Sequence, residues 1–303
     1  MSEPIPTRIR IVKPLLAPHV LLLVLSAGLS VSAAEPTHKD IVFASPEGHD
    51  LKLDLYLPEK TDTKPPLVVF IHGGSWQKGS YKNCSVAWLA EHGYAVASIG
   101  YRFSDLAIWP AQVHDCKGAI RWLRAHANEY GYDATRIGAI GTSAGGYLVA
   151  MLAVTGGEAN LEGDIGGNLD QNSKIQAVVD YFGPTDFVAR SKNQPSKTEV
   201  EGSPVRQLLG GPVSKNLELA AKASPLNHVD AKDVPLLAIH GEKDKTVFIE
   251  HSRWFVEAHR AAGLEARLIV LPDSGHGGKE FFESPIREEV VTFLDRILKS
   301  TES

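Results

Sequence analysis

Cysteine is nearly missing from this 303-residue sequence. Only Cys84 and Cys116 occur, and neither lies near the N-terminal apolar run, so that region offers no thiol for lipid attachment. An even pair in a chain with export features still invites a disulfide. Basic runs are absent too, and the formal net charge is −5. A mildly acidic chain of this kind argues against nucleic acid or an anionic membrane as its main partner. The purely apolar stretch near the N-terminus, Val20 to Leu25, is far short of the ~20 residues that a bilayer span requires, which argues against a stable membrane anchor. No internal repeat is visible, and no feature sets an oligomeric state.

What is present is ample material for a core. The chain is 43% hydrophobic and 22% charged, which suits one large or two ordinary globular domains. At the N-terminus, Arg8, Arg10 and Lys13 precede "VLLLVLSAGLSVSAAE", which ends in small residues. Charged, apolar and small-residue regions in that order make a secretory signal peptide over residues 1–34, cleaved near Ala33 or Ala34. The expectation is an exported protein, periplasmic or extracellular. Its mature part, residues 35–303, loses three basic residues and Glu3, and becomes more acidic by two charges.

Along that mature part, "DIVFASPEGHDLKLDLYLP" reads as two alternating strands around a turn at Pro46–Gly48. "PPLVVFIHGG", "YAVASIGYR", "RIGAIG", "IQAVVDYFG", "PLLAIHG" and "ARLIVLP" are continuous apolar runs. Such runs, rich in Val and Ile, fit strands buried on both faces of a parallel sheet. Helical patterns lie between them at Ser85–His92, Ala111–Asn128, Ala144–Val154, Val247–Ala262 and Ile286–Lys299. The alternation predicts one α/β sheet, mostly parallel, with helices on both faces. Two strand-poor segments interrupt it, 155–173 and 187–233. Both are expected to leave the sheet where its strands end and to form a small lid.

The chemistry concentrates in three places. "IGAIGTSAGGYLVAML" carries an apolar strand into Ser143, ringed by glycines, and then into an apolar helix. Gly-Thr-Ser-Ala-Gly matches the G-x-S-x-G turn that lifts a serine hydroxyl above a parallel sheet. Such a hydroxyl is a poor nucleophile until a base lies within hydrogen-bonding reach, and the base needs a third group to hold its tautomer. "IHGEKDKTV" supplies Asp244 just past one strand, and "LPDSGHGG" supplies His276 just past the next. The order Ser143, Asp244, His276 is the one the turn predicts. Asp244 also reads as a helix N-cap, and Asp186 in "YFGPTDF" is a rival acid because it too follows a strand. Negative charge on a substrate carbonyl needs donors already in place. "FIHGGSW" offers the backbone N–H groups of Gly74 and Ser75, beside that of Ala144 at the helix start.

The chain resembles an α/β-hydrolase of the bacterial esterase type related to feruloyl and acetyl-xylan esterases (BD-FAE-like). The resemblance rests on "HGGSW", "YRFSDLAIWPAQVHDCKGAIRWLRAHA", "GTSAGG", "GNLDQNSKIQAVVDYFGPTDF", "RQLLGGP", "HGEKDKTV" and "SGHG", which span nearly the whole mature chain. It implies the α/β-hydrolase fold and carboxylic ester hydrolysis through Ser143, Asp244 and His276, with no metal or organic cofactor. The substrate it implies is a small ester or an esterified saccharide, such as an acetyl or feruloyl ester of plant polysaccharide. It also implies that the helices containing Cys84 and Cys116, the first and second after the "FIHGG" strand, cover opposite faces of the sheet, so that both thiols stay free. Trp76 and Trp109 are expected either to line an acyl or sugar pocket or to pack in the core. Three other functions share parts of the pattern. "HGGSW" is similar to the loop of kynurenine formamidases, the triad order is that of a peptidase on this fold, and a binding protein could use the same scaffold.

Overall fold

The computed structural model describes residues 35–59 and 61–300. The expected signal peptide, residues 1–34, lies outside them. Eight strands form one sheet: β1 (His38–Ala44), β2 (Leu51–Tyr56), β3 (Pro66–Ile71), β4 (Ala95–Ile99), β5 (Asp133–Thr142), β6 (Ala177–Tyr181), β7 (Leu236–Gly241) and β8 (Ala266–Leu271). Their order is β1-β2-β4-β3-β5-β6-β7-β8. Strand β2 pairs antiparallel with both its neighbours, and every pairing from β4 to β8 is parallel, so β2 alone runs against the others. All residues of β3, β4, β6 and β7 are buried. Their runs, mostly Val, Ile, Leu and Ala, therefore have apolar partners above and below.

The helices are α1 (Ala111–Ala125), α2 (Ala127–Tyr130), α3 (Ala144–Val154), α4 (Phe187–Asn193), α5 (Pro204–Leu208), α6 (Leu217–Lys222), α7 (Glu250–Ala261) and α8 (Ile286–Leu294). Helices α1, α3 and α7 cover one face of the sheet, and α8 with the segment Val86–Leu89 covers the other. Every residue of α3 is buried, as an all-round apolar helix requires. Cys116 sits in the first core and Cys84 packs against the second, and both are free. No described helix is long and apolar enough to cross a membrane.

Two expectations need correction. The helix expected at Ser85–His92 is only a 3₁₀ stretch, Ala87–His92, stopped by Gly93 at φ +76°. Six residues give too few hydrogen bonds to repay helix nucleation, and the segment is held instead by burial of Trp88 and Leu89. Segment 155–173 does not fold over the serine: it packs on α1, and Gly166 touches only the end of the edge strand β1, at Phe43 and Ala44. It follows α3, which starts at the C-terminal end of β5 and carries the chain about 16 Å away from it. Arg121, fully buried in α1, donates to the carbonyls of Glu162, Ile165 and Gly167 and to the Glu162 carboxylate. Segment 187–233 does lie at the strand ends. It bridges the two sides of the site: Gln207 accepts from Gln77 at 2.6 Å, and Arg190 donates to the carbonyl of Thr246 at 2.7 Å.

Candidate active site

Parallel pairing brings the ends of the central strands level. Ile71 pairs with Gly141, Thr142 with Tyr181, and Tyr181 with Ile239. The loops that follow these strands therefore open on one edge. Ser143 sits at the turn between β5 and α3 with φ +54° and ψ −114°, a backbone conformation that L-residues seldom adopt. The turn is tight because the chain around it approaches very closely. A Cβ on Gly145 would lie 2.0 Å from the carbonyl oxygen of Ile71, so no larger residue fits.

His276 Nε2 lies 2.8 Å from Ser143 Oγ, and His276 Nδ1 lies 2.6 Å from Asp244 Oδ2. The three side chains singled out in the sequence thus form one hydrogen-bonded chain. Nδ1–H donates to the carboxylate, which leaves the Nε2 lone pair free to accept from the hydroxyl. Asp244 Oδ1 accepts from the backbone N–H groups of Thr246 at 2.7 Å and Val247 at 3.0 Å. Burial penalises charge on Asp244, yet the hydrogen bonds from His240 and His276 and from the Val247 N–H outweigh it. They hold its carboxyl well below the usual carboxylate range. The rival acid is engaged elsewhere, since Asp186 Oδ1 accepts from Ala189 N at 2.9 Å and caps α4.

The loop after β3 folds over the serine. Gly74 has φ +120°, and a Cβ there would lie 1.9 Å from the carbonyl oxygen of Lys78. Ser75 and Trp76 follow at φ +60° and +58°, so the serine in the third glycine's place accepts the left-handed backbone that glycine would have favoured. Among the described residues, no backbone carbonyl accepts from the N–H groups of Gly74, Ser75 or Ala144. Ala144 also stands at the positive end of the α3 dipole.

Trp76 and Trp109 are 2% and 6% exposed, so neither lines an open pocket. Trp76 packs edge-on against Tyr147 and Phe187, with ring centres 5.2 and 5.8 Å away. The backbone N–H of Trp109 donates to the carbonyl of Leu208 in α5. Two residues not singled out in the sequence touch the site. Phe182, at φ +48°, lays its ring 4.7 Å from that of His276. His240, fully buried at the end of β7, brings Nε2 to 3.2 Å from Asp244 Oδ2. A histidine inside the apolar run "PLLAIHG" was the available signal for the second, because a buried ring nitrogen must find a partner. Nearby, Asp180 is fully buried with only one carboxylate oxygen paired, to Gly183 N, and burial pushes its pKa up to about 6.

The sheet order and the side chains gathered at its strand ends make this an α/β-hydrolase fold. Within that class the chain belongs to the BD-FAE family, whose model matches residues 53–258. It is 31% identical over 230 residues to the esterase LipC of Mycobacterium tuberculosis, covering 74% of this chain and 56% of LipC. Among solved structures, a truncated carbohydrate esterase from gut microbiota superposes with a TM-score of 0.80 at 32% identity, over 86% of this chain and 96% of that one. A bifunctional GH43-CE protein of Bacteroides eggerthii gives a TM-score of 0.76 at 34% identity, over 85% of this chain and 37% of that one. The chain spans about half the length of the curated relatives it matches first.

Proposed function

We propose that the chain is a serine carboxylic ester hydrolase that removes short acyl groups, acetyl above all, from a saccharide. The observation that carries this reading is the hydrogen-bonded chain Ser143 Oγ, His276 Nε2, His276 Nδ1, Asp244 Oδ2, at 2.8 and 2.6 Å. Neutral His276 takes the hydroxyl proton as Ser143 Oγ bonds to the ester carbon, and Asp244 stabilises the imidazolium. The carbonyl oxygen becomes an oxyanion facing the N–H groups of Gly74, Ser75 and Ala144. When the tetrahedral species collapses, the carbon–oxygen bond to the alcohol breaks and His276 returns its proton to the leaving oxygen. Water then repeats the sequence on the acyl-enzyme and frees the acid and Ser143. The similarity to carbohydrate esterases favours a sugar as the alcohol. The order of regions in residues 1–34 supports export, where polymeric saccharide would be met.

The test sets acetylated xylobiose, methyl ferulate, an aryl formamide and 4-nitrophenyl acetate before the wild-type protein and Ser143→Ala. Acetate release from the first is expected to lead. Loss of Ser143 Oγ should cost at least ~10³ in rate on every ester while the fold stays intact. Wild-type rates in the Ser143→Ala protein would overturn the reading, and preference for the formamide would move the chain to amide chemistry.

A further inference from the structure

The aromatic cluster of Trp76, Tyr147 and Phe187 fills the α1 side of the serine turn, and the open space lies elsewhere. A cleft of about 320 Å³ adjoins Ser143 through Gly73 and Thr142, the residues nearest to it in this cleft. Phe182 and Phe282 form an aromatic wall, and Ser80, Asn83 and Ser85 come from the loop that follows Gly79. That volume is at the lower end of small-molecule sites and suits one ring with its substituents.

The polar atoms of the cleft are underused within the protein. Ser85 Oγ is buried and has no partner among the described residues, a situation that costs free energy unless something else meets the hydroxyl. Ser80 Oγ accepts only from Lys82 N, at 3.1 Å. Asn83 is exposed at the mouth of the cleft. Phe182 is held at φ +48°, a strained choice for an aromatic residue, and that conformation sets its ring between the cleft and His276. A ligand that matches these walls has an apolar ring face and hydroxyls around its edge. Those are the features of a pyranose.

We propose that this cleft holds the sugar ring of the leaving alcohol, with Phe182 and Phe282 against its C–H face and Ser80, Asn83 and Ser85 at its hydroxyls. The assignment rests on the ester-hydrolase reading. It follows from where the proton goes: the leaving oxygen must lie at His276 Nε2, and Phe182 ties the cleft to the His276 side of Ser143. The acyl carbonyl oxygen belongs instead at the Gly74 and Ala144 N–H groups. The cleft opens to solvent, so the remainder of a saccharide chain can run outward.

The experiment measures kcat/KM for acetylated xylobiose and for ethyl acetate, whose alcohol is too small to fill the cleft, in the wild-type protein, Asn83→Ala, Ser85→Ala and Phe282→Ala. The same proteins are assayed for inhibition of ethyl acetate hydrolysis by free xylobiose. The ratio of the two kcat/KM values should fall at least ~10-fold in Phe282→Ala and Asn83→Ala, mainly through KM, and xylobiose inhibition should weaken in step. An unchanged ratio with unchanged inhibition overturns the assignment. So does a fall in kcat/KM for methyl ferulate, measured alongside, with the acetylated xylobiose ratio unchanged, because the cleft would then hold an aryl acyl group. Retention of all activities by Ser143→Ala would strike the ester-hydrolase reading itself, a result separate from these.

Discussion

His240 and His276 both bring a ring nitrogen to the same oxygen of Asp244. Nε2 of His240 lies 3.2 Å from Oδ2 and Nδ1 of His276 lies 2.6 Å from it. His240 Nδ1 is 2.7 Å from Ser252 Oγ, and Nε2 is also 2.9 Å from the carbonyl of Val247. A carbonyl can only accept, so Nε2 carries the proton and Nδ1 accepts from Ser252. His240 is thereby a positioning residue: it acts through the carboxylate and touches no substrate. His240→Ala should lower kcat by about 10-fold with KM little changed, and His240→Gln, which keeps an N–H donor, should recover part of the loss. Equal kcat in the two variants at equal thermal stability would reduce His240 to a packing residue.

The two aspartates that follow strands separate cleanly. Asp186 spends its carboxylate on the α4 N-terminus. Asn caps helices about as well, so Asp186→Asn should leave turnover near wild type. Asp244→Asn presents an amide that accepts at one atom only and misdirects the His276 tautomer. Its kcat on 4-nitrophenyl acetate should drop by at least ~10². Steady-state kinetics on both variants decides the matter, and the reverse ranking would reassign the acid.

Asp180 gives the fold a pH dependence of known sign. In the folded chain its carboxyl keeps its proton up to about pH 6, against an ordinary value of 3.8, because burial disfavours the charge. Between those values the native state binds more protons than the unfolded one, so this group's contribution falls as pH rises. Above about pH 6 the full cost remains, on the order of 3 kcal/mol. Asp180→Asn keeps an acceptor for Gly183 N and removes the charge. Its melting temperature relative to wild type should therefore climb from pH 4 to pH 7. A difference that stays flat across that range would show that Asp180 is not buried as a carboxyl.

Much of this arrangement was legible in sequence because it rests on local rules. Six apolar runs and one alternating pair announced the eight strands, and glycines marked the places where the chain must turn sharply or pass close to itself. The order Ser143, Asp244, His276 needed only the knowledge that each follows a strand. What escaped depends on packing between distant segments. Nothing in "YFGP" says that Phe182 takes a left-handed backbone and meets His276, a contact across 94 positions. Segment 155–173 has the composition of a lid, but Arg121 holds it on α1 and away from the serine. Trp76 and Trp109 are the size of pocket residues, and only the presence of Tyr147, Phe187 and Leu208 makes them part of a wall.

That wall bears on the acyl group. With the alcohol assigned to the Phe182 cleft, the acyl chain must extend toward the face where Trp76, Tyr147 and Phe187 are packed, each no more than 2% exposed. Trp76 meets the other two edge-on, and Tyr147 and Phe187 have centroids 5.0 Å apart, so the three rings are in mutual contact and present a closed wall. An acetyl group needs little of that space. Each further methylene gains up to about 0.8 kcal/mol where it can be buried and nothing once the wall is reached. Displacing the aromatic rings to admit more would cost packing energy of about 1–3 kcal/mol. Activity along a series of 4-nitrophenyl esters should consequently be highest between C2 and C4 and fall steeply before C10, with kcat/KM as the readout. A maximum at C12 or beyond would mean that the acyl chain avoids this wall, and the acyl and alcohol sides of Ser143 would have to be exchanged.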